Sequence, residues 1–229
     1  MMAMSQSSAA ERTHSTGVLV SGGLDSCILL SQLLRQGLMV RPLYVRSHLV
    51  WESAELAMLR RYLRHERNEG LQELVILELP LTDTYGQHWS VSGRCPPAAD
   101  APDEAVYLPG RNALLVFKAA LWCQLNGIDR LALGPLGTSP FADATPAFFA
   151  RLTAVLNCYA AELDILLPFS MLAKWQVMQL GRDCPLELTF SCLAPVRGHH
   201  CGRCNKCAER RTAFRLIGAE DPTDYAYDS

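Results

Sequence analysis

The sequence predicts an α/β fold built on a doubly wound, mostly parallel sheet, with a small C-terminal segment organised by four cysteines. Three observations carry this expectation. Short apolar runs alternate with amphipathic stretches through most of the 229 residues, a Ser-Gly-Gly turn stands where the first run meets the first such stretch, and Cys192, Cys201, Cys204 and Cys207 gather after the alternation ends. With 49% hydrophobic and 19% charged residues, the chain can bury one sizeable core.

The elements follow in order. The run at 17–20 reads as a strand, and apolar residues at helical spacing over 24–34 read as a helix. Residues 38–45 predict a second strand, 53–69 an Arg- and Glu-studded helix, and 73–79 a third strand. The stretch 80–106, with Pro96-Pro97 and Pro102, predicts a long loop that either covers a site or moves. A helix over 111–126 closed by Gly127, a strand at 130–133, a helix over 146–159 and a strand at 164–167 complete the alternation, and Lys174 begins a further helix. A final helix is expected over 209–217. The organisation predicted is a disordered tail (1–16), an α/β nucleotide-binding domain (17–188) and a cysteine-rich segment packed on it (189–229).

Charge and composition exclude several classes. Twenty-one Lys and Arg against 23 Asp and Glu give a net charge of −2, which argues against a strongly cationic duplex-binding protein, although a local basic patch stays open. None of the three lysines, Lys118, Lys174 and Lys206, follows a glycine, so a Walker A loop cannot be written. The N-terminus lacks the apolar stretch of a secretory signal, and the greasiest segment, 113–125, is interrupted by Lys118 and falls short of the roughly 18–20 residues that span a bilayer. A soluble, cytoplasmic protein is expected. There, nine cysteines point to metal or thiol chemistry before disulfides.

The hexapeptide Ser21-Gly22-Gly23-Leu24-Asp25-Ser26 lies between the first strand and the first helix. Its glycines allow a tight turn that presents N–H groups, the helix N-terminus adds a positive dipole end, and the serines add hydroxyls, together a pocket for phosphate oxygens. Asp25 would repel a bare phosphate, so it is expected to face Mg²⁺ or to cap a neighbouring N–H. The second feature is the spacing C-x8-C-x2-C-x2-C of Cys192, Cys201, Cys204 and Cys207. Four thiolates satisfy tetrahedral Zn²⁺ and leave no place for water, the mark of a structural site. An iron–sulfur cluster and a redox pair are the competing readings. His199 and His200 are expected at the surface or facing substrate. The other five cysteines are read as ordinary thiols.

Taken together, Ser21 to Ser26, Leu108-Pro-Gly-Arg-Asn112, Leu172-Ala-Lys174, Thr189-Phe-Ser-Cys192, Cys201-Gly-Arg-Cys-Asn-Lys-Cys-Ala-Glu-Arg210 and Asp221-Pro-Thr-Asp-Tyr225 resemble, in that order, the 7-cyano-7-deazaguanine synthases of the PP-loop ATP pyrophosphatases. The resemblance runs over residues 17–226. It implies the adenine nucleotide alpha hydrolase-like fold and an ATP-dependent carbon–nitrogen ligase of queuosine-type deazapurine biosynthesis. Such an enzyme adenylates a small heterocyclic acid, 7-carboxy-7-deazaguanine, and uses ammonia to form an amide and then a nitrile. It also implies ATP, Mg²⁺, structural Zn²⁺ and a homodimer.

Within that reading, Val20, Ser21, Gly22, Gly23, Leu24, Asp25, Ser26 and Tyr44 are the ATP-binding candidates, and Asp25, Arg111 and Lys174 the catalytic ones. Adenylation turns a carboxylate oxygen into a leaving group, and the cations Arg111 and Lys174 suit the charge on the transferred phosphoryl unit. The resemblance is weakest where substrate would be read. The family's Asp-Tyr-Gly-Gln-Arg-His stretch stands here as Leu43-Tyr-Val-Arg-Ser-His48, and its Ser-Gly-Tyr-Pro-Asp segment is replaced within 134–149. There Asp143 suits a guanidine-like edge and Phe148 or Phe149 a stacked ring, although a capping Asp and two core phenylalanines explain the same letters. A divergent member of the family is therefore expected.

Two alternatives stay open. One is a PP-loop enzyme that adenylates another acid, a tRNA base or a protein terminus, with Cys95 as the free cysteine of a thiolating version. The other is a non-catalytic zinc-knuckle module gripping nucleic acid through Arg197, Arg203, Lys206, Arg210 and Arg211.

Overall fold

A computed structural model describes residues 15–227. The tail expected over 1–16 lies outside the described residues as far as residue 14, and Thr16 already opens the first strand. Five strands, β1 (Thr16–Leu19), β2 (Val40–Arg46), β3 (Val75–Glu78), β4 (Arg130–Ala132) and β5 (Asp164–Leu166), form one sheet in the order β3-β2-β1-β4-β5. Every pairing is parallel, with Thr16 opposite both Val40 and Arg130. The central strand is buried on both faces, so its sequence reads as a continuous apolar run. Gly17 is required there, because a Cβ would come within 2.8 Å of Cys123 Sγ.

Helices cover both faces. On one, α1 (Leu24–Arg35) is buried nearly all round, which its run of leucines foretells, and it shares a core with Leu59 and Tyr62 of α2 (Glu52–His65), Val177 and Met178 of α7 (Lys174–Leu180), and Ala213, Phe214 and Ile217 at the C-terminus. On the other, α5 (Arg111–Leu125) and α6 (Pro146–Leu156) bury Leu115, Val116, Ala119, Phe149 and Leu156 against the sheet. Helix α2 stops at His65 rather than 69 because Glu66 is extended and Asn68 Oδ1 accepts from Gly70 N–H, closing a local turn.

The segment 80–106 is more structured than a loop. It holds the single-turn helices α3 (Thr82–Tyr85) and α4 (Trp89–Ser92) and a 3₁₀ turn at Asp103–Val106. It is tied to the cysteine-rich segment, since Asn205 N–H donates to Pro97 O and Asn205 Nδ2 to Ala101 O. The last helix, α8 (Asn205–Leu216), starts four residues before the expected 209 because Cys204 is its N-cap, which puts Cys207 in the first turn. Among the described residues no helix is long and apolar enough to cross a membrane.

Candidate active site

The order β3-β2-β1-β4-β5 reverses direction between β1 and β4, and the crevice beyond the carboxyl ends of those strands is where open parallel sheets bind ligands. The hexapeptide leaves β1 at that point. Gly22 takes a φ of 79°, and its carbonyl accepts from Phe190 N–H at 2.7 Å, which ties the turn to the segment that carries Cys192. Ser26 Oγ donates to Gly23 O and lies 3.2 Å from Ser21 Oγ. Gly23 is the N-cap of α1 and offers no side chain, so the first-turn N–H groups keep their capacity for an anion.

Asp25 does not cap a neighbouring N–H. Both its carboxylate oxygens accept from Lys174 Nζ at 2.9 Å, so its charge faces a lysine over the loop. Lys174, the first residue of α7, also lies 3.5 Å from Glu209 Oε1, and Glu209 pairs with Lys206 one turn earlier on α8. Burial works against the Lys174 charge, but Asp25 and Glu209 outweigh it and hold the ammonium above its ordinary range. Glu209 is held below the usual carboxylate range, Lys206 and Lys174 overcoming its desolvation.

Two cavity lobes, of about 390 and 500 Å³, meet over this cluster. Ser21, Asp25, Ser26, Arg111, Lys174 and Glu209 line both. The larger lobe lies along the sheet edge, walled by Val20, Tyr44, Leu115, Leu133, Gly134 and Ala213. The smaller one is aromatic, with Trp51, Trp89, Tyr107, Phe141 and Phe190 in its wall; Trp51 and Trp89 stack at 5.6 Å, as do Tyr107 and Phe141 at 5.3 Å. Arg111 opens α5 after the left-handed Gly110, its guanidinium 6.0 Å from the Trp51 ring centroid and its Nε buried without a hydrogen-bond partner.

The other candidates separate cleanly. Gly22 packs behind the loop against α2, where a Cβ would meet Glu55 O at 3.3 Å. Asp143 lines the aromatic lobe and accepts from Asn112 Nδ2 at 3.2 Å, and burial raises its carboxyl above the ordinary range. It caps no helix; Thr145 caps α6 by accepting from Phe148 N–H. Phe149 is a core residue, 3% exposed, that touches the larger lobe, whereas Phe148 lines neither lobe and packs edge-on against Phe149. The expectation that Phe148 stacks a substrate ring therefore does not fit its position.

Residues that sequence reasoning passed over complete the site. Glu55, in the first turn of α2, lines both lobes and accepts from Tyr44 O–H at 2.9 Å; burial pushes its carboxyl up to about 8 despite the pull of Arg111. Its neighbour Glu52 is spent on the backbone N–H groups of Ser47 and His48. The clue was available: two glutamates three apart open a helix right after Trp51, at the C-terminal edge of β2. Glu209 was within reach as well, inside the Cys-Ala-Glu-Arg stretch.

The four cysteines meet as expected. Cys192, Cys201, Cys204 and Cys207 are buried, and their sulfurs all lie within 4.8 Å of one another, with Cys192–Cys204 and Cys201–Cys207 at 3.9 Å and Cys204–Cys207 at 3.5 Å. Thiolates about 2.3 Å from a tetrahedral Zn²⁺ would stand about 3.8 Å apart, so the set fits such an ion. His200 is neither exposed nor turned to the cavity. It is buried between Phe190 and Tyr225, its Nε2 accepting from Ser191 N–H.

Of the basic cluster read as a nucleic-acid grip, Lys206, Arg210 and Arg211 are engaged within the fold, whereas Arg197 and Arg203 are exposed. Arg210 is 1% exposed and donates to Thr189 Oγ1, Leu186 O and Thr223 Oγ1, while Arg211 donates to Gly202 O and lies over Tyr225, and Arg203 lies over Tyr227. Cys95 is exposed but lines neither lobe.

A parallel sheet of this order, with the Ser-Gly-Gly-Leu-Asp-Ser turn at its switch point and a lysine-centred charge cluster over it, defines a PP-loop nucleotide-binding protein. The fold agrees: a 4-thiouridine synthetase solved with RNA and bound ATP superposes with a TM-score of 0.53 and 16% identity over 90% of this chain, which spans half of that one. A family model, queuosine biosynthesis protein QueC, matches residues 16–218, and the chain belongs to that family. It is similar to a 7-cyano-7-deazaguanine synthase of Anaeromyxobacter dehalogenans, 32% identical over 91% of this chain and 94% of the relative, and to one of Syntrophobacter fumaroxidans, 29% identical over 95% of this chain and 99% of the relative.

Proposed function

We propose that this protein is an ATP-dependent ligase that converts the carboxylate of 7-carboxy-7-deazaguanine first to the amide and then to the nitrile, with ammonia as nitrogen donor. The observation that carries the reading is the meeting of two lobes over one phosphate loop and one lysine, in a chain of the QueC family. A two-substrate adenylation needs that arrangement: nucleotide on one side, acid on the other, and the α-phosphorus between them.

In this reading the larger lobe, along the sheet edge, takes the nucleoside, and the loop N–H groups hold the pyrophosphate end. The nucleotide is taken as MgATP, and Asp25 holds Lys174 beside it through both carboxylate oxygens. Lys174, aimed by Asp25 and Glu209, and Arg111, with its Nε–H unspent, neutralise the phosphoryl group as the acid oxygen attacks. The aromatic lobe takes the flat heterocycle, and Asp143, steadied by Asn112, accepts from its N–H edge. Cys192, Cys201, Cys204 and Cys207 would hold a Zn²⁺, which supplies a fixed anchor for the start of α8 and the chain before it. A reducing cytoplasm, where these thiols stay free to bind metal, and a homodimer complete the proposal.

Mass spectrometry of metal-loaded protein incubated with ATP, Mg²⁺, ammonium and 7-carboxy-7-deazaguanine tests it. Amide followed by nitrile, with AMP and pyrophosphate, is the expected result. ATP untouched in the presence of the acid, or consumed with neither product, overturns it.

A further inference from the structure

The nitrile-forming reading leaves one chemical need without an owner. The attacking nitrogen must shed three protons, one as ammonia becomes the amide and two as the amide becomes the nitrile, and each needs an acceptor at the meeting point of the two lobes. Among the described residues, the carboxylates that line both lobes are Asp25, Glu55 and Glu209. Asp25 is clasped by Lys174, and Glu209 is paired with Lys206 and Lys174. A carboxylate bonded to a lysine is a weak base.

Glu55 is placed differently. Its Cγ packs 3.5 Å from where a Cβ on Gly22 would stand, so the side chain rises directly behind the phosphate loop. The hydrogen bond from Tyr44 O–H engages Oε1, and Glu55 lines both lobes. The charged or titratable groups acting on it are Tyr44 from β2, Glu52 from its own helix and Arg111 from α5. None of them donates a lysine-type hydrogen bond to it.

We propose that Glu55 is the general base for the nitrogen: it accepts the proton as ammonia adds to the acyl adenylate, and again as the adenylated amide collapses to nitrile. The proposal rests on the nitrile-forming reading above. In the first step the C–N bond forms, the carbonyl electrons move to oxygen, and Glu55 takes one N–H proton; the C–O bond to phosphate then breaks, and AMP leaves with the electron pair. In the second, adenylation of the amide oxygen leaves an iminium-type nitrogen. Glu55, having released the proton of the first step to solvent, removes the two remaining protons in turn, passing each to solvent, and AMP again departs with the C–O electrons as the triple bond closes. Burial keeps the carboxyl poised at about 8, close to working pH, where a base both holds and releases protons readily.

The test separates the two activations from the proton transfers. In metal-loaded wild type and Glu55→Gln, acid-dependent ATP–pyrophosphate exchange reports adenylation, and single-turnover amide and nitrile formation, followed from about pH 6 to about pH 9, reports the later steps. Gln keeps the Tyr44 hydrogen bond. With the concentration of free NH₃ held constant at every pH, amide formation in Glu55→Gln should fall about 10²–10⁴-fold further than exchange does, and the rise of the wild-type amide rate with pH should vanish. Equal losses in both assays, or a wild-type amide rate and pH profile in the variant, would overturn the role of Glu55. Wild type without acid-dependent exchange would instead sink the nitrile-forming reading, and the proposal with it. Should Glu55→Gln not fold, Tyr44→Phe carries the question: loss of the O–H donor must move the amide-step ionisation to higher pH, and an unmoved profile refutes the assignment.

Discussion

Lys174→Met removes the cation at the centre of the site while keeping the length of the side chain. Its two bonds to Asp25, both 2.9 Å, are lost together with the 3.5 Å contact to Glu209. The Lys174 and Asp25 side chains are 17% and 27% exposed, between the exposed pairs worth 0–1 kcal/mol and the fully buried ones whose breaking costs 3–5 kcal/mol, so a loss of about 2 kcal/mol is expected. For a chain of this size that is a Tm drop of roughly 4–8 °C, leaving the protein folded at 25 °C. Removing a preorganised charge from a phosphoryl-transfer site should cost about 10²–10³ in rate, or roughly 3–4 kcal/mol of transition-state stabilisation. The assay is acid-dependent ATP–pyrophosphate exchange with a thermal melt of the same sample. Lys174→Arg, which keeps the charge but spreads it over a planar fork, should retain part of the rate. Exchange within threefold of wild type in Lys174→Met, alongside the expected Tm drop, would show that the lysine only braces α7 against α1, and the electrostatic argument would fail.

Other outcomes follow from neighbouring groups. Burial raises the folded-state pKa of Glu55 from the ordinary 4.5 to about 8, so its stabilising contribution is complete below the lower value and lost as pH climbs through the higher one; between about pH 6 and pH 9 the Tm of wild type should fall more than that of Glu55→Gln, and parallel melts would contradict the buried placement. Cys204→Ser should purify without bound metal and lose stability before any active-site residue is touched, as read by elemental analysis and thermal melts; a metal-free, fully stable variant would disprove the structural role. Arg210→Leu leaves Thr189, Leu186 and Thr223 without their donor and should cost about 3 kcal/mol in urea unfolding, with no effect specific to nucleic acid. Asp143→Asn should raise KM for the acid several-fold with KM for ATP held, and a change confined to ATP would move Asp143 to the other lobe.

Much of the molecule was legible because the signals are local. Short apolar runs and helical spacing marked the alternation, the six-residue loop suggested phosphate chemistry, and four cysteines within sixteen residues suggested a metal set. Lys174 was placed at a helix start, and the helix begins there. Where errors arose, a local pattern concealed a longer contact. The knuckle Cys204-Asn-Lys-Cys207 hid the first turn of α8, and the prolines of 80–106 left open whether a long loop covers a site or moves, whereas Trp89 and Val106 line the smaller lobe and Pro97 and Ala101 are held by Asn205 from the far end of the chain.

The letters alone gave away the class of fold, the turn at its switch point, the four-cysteine cluster and the family. Folding decided how charge is distributed over the site. Asp25 and Lys174 are 149 residues apart in sequence, and only the packing of α7 beside α1 brings them to 2.9 Å, turning an expected metal ligand or cap into the partner of a lysine. Likewise the packing of α8 buries Arg210, and that of α2 sets Glu55 behind Gly22. A spacing pattern reports which side chains share one helix face or one turn. Whether a charge meets solvent, a metal or an opposite charge depends on how separate helices lie over the sheet, and that arises from the burial of apolar surface along the whole chain.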